Sequence, residues 1–268
     1  MISVFSTLVA THLRGILRDR ILYGVIGMSA VMILLVPALS NFSMRQVQEL
    51  SITLSLSVVS GMLLVVTLLL GASSIWRDIE RRYTSAVLPL PLTRSTFLLS
   101  KFFSITLFLL LSILVLGAGC GLVIWLASST YPSETPIHWG NIVLVLCGDL
   151  GKYTLLTAFA LLLSSLSTSF FLPFFGTLVI YFCGSASQEV YEYVTGEFGQ
   201  GLGPVTVSAV KSAYFLLPNF SAFDYQVQAV YGLPIMPQGL LLNFFYMLIY
   251  TSLLLVLAVL CFERRELP

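Results

Sequence analysis

The chain has 268 residues, 57% hydrophobic and 9% charged, with a formal net charge of +1 and a mean hydropathy of +0.97. A soluble domain carries about 25% charged residues, so this composition excludes one and predicts a single all-α integral membrane domain over residues 1–268. It also offers no basic surface on which nucleic acid could dock.

At the N-terminus, Val4, Phe5, Leu8, Val9, Leu13, Ile16 and Leu17 recur at helical spacing, with Ser6, Thr7, Thr11, Arg14 and Arg18 opposite. That pattern predicts a helix over 1–20 lying in the membrane interface, apolar face down, rather than a cleaved signal peptide. Crossing the hydrocarbon core takes about 20 apolar residues, and six stretches qualify: about 21–40, 50–71, 102–127, 139–163, 170–185 and 239–262. Lys152 and Glu189 bracket an uncharged run too long for one helix, and the serines and threonine of 164–169 divide it.

Orientation follows from Lys and Arg in short loops. With the N-terminus inside, Arg14, Arg18, Arg20, Arg77, Arg81, Arg82, Arg94, Lys101, Arg264 and Arg265 face the cytoplasm, against Arg45 and Lys211 outside. Both termini are therefore expected in the cytoplasm of a bacterial cell, with the chain in its cytoplasmic membrane. The segment 186–238 becomes an external loop. Within it, 205–217 is apolar but too short to span, so it is expected on or in the outer leaflet.

The stretch 75–101 is the one internal segment dense in charge, with Arg77, Asp78, Glu80, Arg81, Arg82, Arg94 and Lys101. Such a loop can be a solvated turn that only fixes orientation. However, Trp76, Ile79 and Tyr83 fall at helical spacing beside Arg77, Glu80, Arg81 and Thr84, and Pro89 and Pro91 then stop the helix. A charged amphipathic helix on the cytoplasmic side predicts a docking element for a soluble partner. Its residues are Trp76, Arg77, Asp78, Glu80, Arg81, Arg82, Tyr83 and Thr84.

Catalytic readings fail on inventory. The two histidines, His12 and His138, fall on opposite sides, and no phosphate-binding loop, HExxH or GxSxG motif occurs. The four cysteines have no metal or redox spacing and read as packing residues. Only Asp149 and Lys152 sit well inside a span. Three apart on one helix, they share a face and can form an ion pair that fixes packing, or they mark an ion pathway. Small residues on the third span (Gly117, Ala118, Gly119, Gly121) predict close helix approach, either within the chain or at a seam between copies.

The residues 78–94 (DIERRYTSAVLPLPLTR), with Lys101 following, resemble the cytoplasmic signature of ABC-2 type transporter permeases. The ending FERREL (262–267) is similar to that family's usual finish, while Tyr83 stands where glycine is common and Pro89 is an extra proline. The resemblance, which extends to permeases of similar size in nitrous-oxide reductase maturation and related systems, implies a permease subunit. Its helix between spans two and three would be a coupling helix inserting into a separate ATPase subunit. It further implies no cofactor on this chain, ATP and Mg in two copies of the partner ATPase, and pairing with a second or related permease. Membrane lipids surround it, and a periplasmic accessory protein fits the layout. Two readings from other classes compete with this one: a scaffold that recruits a partner without transport, and an ion-coupled transporter working through Asp149 and Lys152.

Overall fold

Backbone polar groups in lipid must be satisfied within the chain, which leaves long apolar runs one open-chain solution, the helix. The computed structural model describes residues 2–40, 46–80, 93–130, 136–196 and 203–264, and no strand occurs among them. The helices are α1 (Ile2–Leu17), α2 (Arg20–Ser40), α3 (Val47–Glu80), α4 (Arg94–Thr130), α5 (Trp139–Leu166), α6 (Phe171–Thr195), α7 (Pro204–Leu216), α8 (Gln226–Val230) and α9 (Pro237–Glu263). Six of them, α2 to α6 and α9, are long and apolar enough to cross a membrane.

The helix ends differ from the hydropathy edges. α3 and α4 have 34 and 37 residues, so they run about 51 and 55 Å against a hydrocarbon core of about 30 Å. α3 continues past 71 to Glu80, and α4 starts at Arg94 instead of 102. Both overshoots lie at the end of the bundle that carries α1. They are braced there by a separate apolar cluster of Ile75, Phe97, Leu98, Ala258 and Phe262. Arg94 reaches across to the end of α9, donating to the Phe262 carbonyl at 3.4 Å and the Glu263 carbonyl at 3.0 Å. A cation there meets the negative end of the helix dipole and the carbonyls of its last turn.

α5 is the central helix. Of its apolar window 61% is buried, against 22% for α2 and α6 and 17% for α9, which leaves those three at the periphery. Small residues set the approach of its neighbours. A Cβ on Gly71 of α3 would stand 2.5 Å from the Ala160 Cβ, and one on Gly176 of α6 would meet Leu163 at 2.8 Å. On α4, Gly117 faces Leu146 of α5, Gly119 faces Ser29 and Met32 of α2, and Gly121 faces Trp139. The glycines of that stripe thus pack within the chain. Cys120 is buried beside them, whereas Cys147 and Cys183 are exposed on their helix surfaces and are not packing residues.

The region expected as a loop over 186–238 is largely built structure. α6 continues to Thr195, carried by a Gln188 to Glu192 side-chain contact one turn apart. α7 lies against it, with the Tyr191 and Tyr214 rings stacked at 4.3 Å. The chain from Pro218 to Val230 then turns back into the bundle, burying Phe220, Phe223 and Ala229. Three glycines make room for it. A Cβ on Gly184 would sit 2.5 Å from the Pro218 carbonyl, one on Gly148 2.6 Å from the Phe223 carbonyl, and one on Gly151 3.4 Å from the Phe223 ring.

Non-helical backbone at this depth needs protein partners, and the spans supply them. The Phe220 N–H donates to the Gly184 carbonyl at 3.2 Å, and Ser221 Oγ donates to the Ser185 carbonyl at 2.6 Å. Asn243 of α9 donates to the Ala222 carbonyl and, at 2.7 Å, to Tyr225 Oη. Asn141 of α5 donates to the carbonyls of Gln228 (2.8 Å) and Leu233 (3.0 Å). The exit turn passes through Gly232 at φ 63°, pressed against His138, a backbone conformation glycine adopts without penalty.

Candidate functional site

Two groups of polar residues are candidates, one at the α1 end and one halfway along the bundle. At the α1 end, α1 is fastened across α4. Ser104 Oγ donates to the Val9 carbonyl at 3.1 Å, Ser100 Oγ lies 3.2 Å from His12 Nδ1, and the Phe5 and Phe103 rings meet edge-on at 5.7 Å. Beside it, the last turns of α3 carry the residues singled out for docking. Trp76 is half-buried, its ring 5.9 Å from that of Phe170. Arg77 is turned towards the α1–α2 junction and pairs with Asp19 at 2.6 Å, both side chains about one-third exposed. Asp19 uses its other oxygen to accept the N–H of Arg20 at 2.8 Å, at the start of α2. Asp78 and Glu80 lie in the last helical turn of α3. Arg81, Arg82, Tyr83 and Thr84 fall outside the described residues.

Between α1, α3 and α4 opens a cavity of about 860 Å³. Lys101, only 6% exposed, lines it. The Lys101 ammonium donates to the Ser74 carbonyl and sits 5.2 Å from the centre of the Phe97 ring.

The second group surrounds Asp149 and Lys152. Asp149 stands about 15 Å along α5 from Trp139, half the thickness of the hydrocarbon core. Both residues are buried, as the rarity of charge within spans leads one to expect. They do not form the ion pair that their spacing allowed. Lys152 instead points its ammonium at two rings, 5.4 Å from the centre of Tyr153 and 5.3 Å from that of Tyr181, within cation–π range. Asp149 Oδ1 accepts Ser60 Oγ of α3 at 3.2 Å, and Oδ2 has no hydrogen-bond partner. Ser60 Oγ also lies 2.7 Å from Tyr153 Oη. The result is a polar seam joining α3, α5 and α6 directly beneath the inserted 218–230 segment.

Sequence reasoning identified Arg77, Lys101, Asp149 and Lys152 and missed Asp19 and the neutral members of both groups. Ser60 is one of several serines in a charge-free run and Tyr181 lies among many aromatics, so neither carries a signal of its own. Asp19 was hidden between Arg18 and Arg20, and its partner is fixed only when α3 and α1 come together. Among the described residues, no three His, Cys, Asp or Glu side chains gather as a metal group. No family model matches the chain, and no curated protein matches it.

Proposed function

We propose that the chain is the membrane-spanning permease subunit of an ABC-2 type exporter in the bacterial cytoplasmic membrane, with both termini cytoplasmic. It would have no ATPase activity of its own, and ATP chemistry would belong to two copies of a separate ABC ATPase docked beneath a pair of permeases. The observation that carries this reading is the pair of overlong helices. α3 and α4 project at the same end, bracketing the charged stretch that resembles the family signature. Their tips are braced by Ile75, Phe97, Leu98 and Phe262. A push at the α3–α4 tip would thus reach α5 through continuous helix rather than be lost in a loose loop. The α1 helix, fixed to α4 at the same end, is suited to lie in the interface and follow that motion.

The test is charge reversal at Arg81 and Arg82 together. The expected outcome is a folded protein whose ATP-driven activity is uncoupled from transport. A folded double variant with full activity removes the docking assignment.

Asp149 favours a second reading, ion-coupled transport, because half of a carboxylate in mid-span has no partner. That reading requires Asp149→Asn to abolish function with no ATPase present. The permease reading expects a packing defect instead.

A further inference from the structure

We propose that Asp149 and Lys152 hold a bound water molecule between them at mid-span. The site depends on neither reading of function, and it gives the open oxygen of Asp149 a partner without ion transport. The hydrogens of the seam lead to it. Ser60 Oγ has one hydrogen, donated to Asp149 Oδ1 at 3.2 Å. The 2.7 Å contact between Ser60 Oγ and Tyr153 Oη therefore uses the Tyr153 hydrogen, since a hydroxyl has only one. Both neutral donors of the seam are then engaged, and neither reaches Asp149 Oδ2.

Lys152 has the opposite need. Its ammonium carries three hydrogens, and among the described residues it meets two ring faces but no hydrogen-bond acceptor. Asp149 and Lys152 are only 5% and 8% exposed. What lies outside the bundle at this depth is hydrocarbon, which offers neither donor nor acceptor.

Charge selects the class of ligand. An anion would satisfy Lys152 and be repelled by Asp149, and a cation would do the reverse. A direct ion pair would serve both, but the nitrogen and oxygen atoms are more than 4.0 Å apart. A neutral oxygen with its own hydrogens meets both groups, accepting from Lys152 Nζ and donating to Asp149 Oδ2. Residues three apart on a helix have Cβ atoms about 5–6 Å apart, and one oxygen with a hydrogen bond of about 2.8 Å to each group bridges up to about 5.5 Å. Water is the smallest molecule with this chemistry, and buried waters characteristically join polar groups that otherwise lack partners. Fixing one water costs far less than leaving either charge unmet in a low-dielectric interior.

The experiment exposes the purified full-length protein, held in lipid nanodiscs, to a brief X-ray pulse and maps oxidised side chains by peptide mass spectrometry. Radicals formed from a bound water attack the side chains beside it. Tyr153 and Tyr181, whose rings flank the Lys152 ammonium, should therefore be labelled, although Tyr153 is fully buried. Phe108, equally buried in the apolar core, should stay unlabelled. When water enriched in the heavy oxygen isotope is mixed in just before the pulse, the label at Tyr153 should still carry ordinary oxygen, because a bound water exchanges more slowly than bulk. The double variant Asp149→Leu with Lys152→Met, apolar groups of similar size, should lose the label while keeping its helicity.

No label at Tyr153 in the wild type overturns the proposal, since the seam is then dry. A label that carries the heavy isotope at once also overturns it, because the tyrosine is then reached from bulk solvent, as does a label that survives in the folded double variant. The isotope comparison uses the wild type alone, so it decides the matter even where the double variant does not fold.

Discussion

Gly148→Ala is the sharpest probe of the inserted 218–230 segment. The added methyl would stand 2.6 Å from the Phe223 carbonyl oxygen and 3.0 and 3.1 Å from the Tyr225 ring. Ordinary carbon contacts begin near 3.5 Å, so the segment must retreat by nearly 1 Å. Its retreat is opposed by Asn243, which holds the Ala222 carbonyl and Tyr225 Oη. Overpacking of this kind costs about 1–3 kcal/mol, while exchanging Gly for Ala within a helix contributes about 0.5–1 kcal/mol in the other direction. Gly61→Ala supplies the reference. It lies within α3 with nothing within 4 Å of its would-be Cβ, so only the helix term operates there. Reversible unfolding in mixed micelles should place Gly148→Ala about 1–3 kcal/mol below Gly61→Ala, and amide exchange over 218–230 should accelerate in the first variant alone. Equal stabilities with unchanged exchange would refute the packing of this segment on α5.

Other variants test the remaining contacts. A Ser60→Ala and Tyr153→Phe double-mutant cycle should give a coupling of about 0.6 kcal/mol, and no more than about 1.7, the range for hydrogen bonds between membrane helices; zero coupling would separate α3 from the mid-span seam. Arg94→Ala should raise amide exchange in the last turn of α9 and cost about 1 kcal/mol, since both carbonyl contacts there are lost together. An Arg77→Ala and Asp19→Ala cycle should yield only about 0.2–1 kcal/mol, because the pair is one-third exposed and screened by salt; a larger value would mean that the junction is dry. Gly232→Ala should destabilise the turn at His138, where φ is positive and the space is occupied, visible as faster exchange at 231–233.

Which parts of this molecule could be read from its sequence follows from the range of each interaction. The six spans were legible because hydrocarbon thickness imposes a length on apolar runs, and Ile21 or Phe102 needs no tertiary partner to declare itself. The ends of α4 and α6 were not, and for α3 only the helical spacing of Trp76 and Ile79 pointed past the apolar run, since hydropathy stops where the lipid stops while a helix persists as long as something braces it. For α3 and α4 that brace is Ile75 against Phe97 and Phe262, contacts between residues far apart in the chain.

The insertion of 218–230 was illegible for the same reason. Nothing in its own residues announces burial, because the space is made by Gly148, Gly151 and Gly184 in two other helices. Asp149 and Lys152 were visible as charges, and their spacing favoured an ion pair. The fold offered Lys152 two aromatic faces and offered Asp149 a serine from α3, alternatives that helical periodicity alone does not represent.

The central proposal, a permease driven by a separate ATPase, is tested most directly by what accompanies the protein out of its own membrane. The measurement is extraction of the tagged chain with its surrounding lipid into polymer-bounded nanodiscs, followed by mass identification and an ATPase assay. The account predicts a soluble ATP-binding-cassette subunit at one-to-one stoichiometry with vanadate-sensitive hydrolysis, lost when Arg81 and Arg82 are reversed in charge. A preparation that carries no such subunit, and whose α3–α4 tip shows no nucleotide-dependent change in exchange, would contradict it.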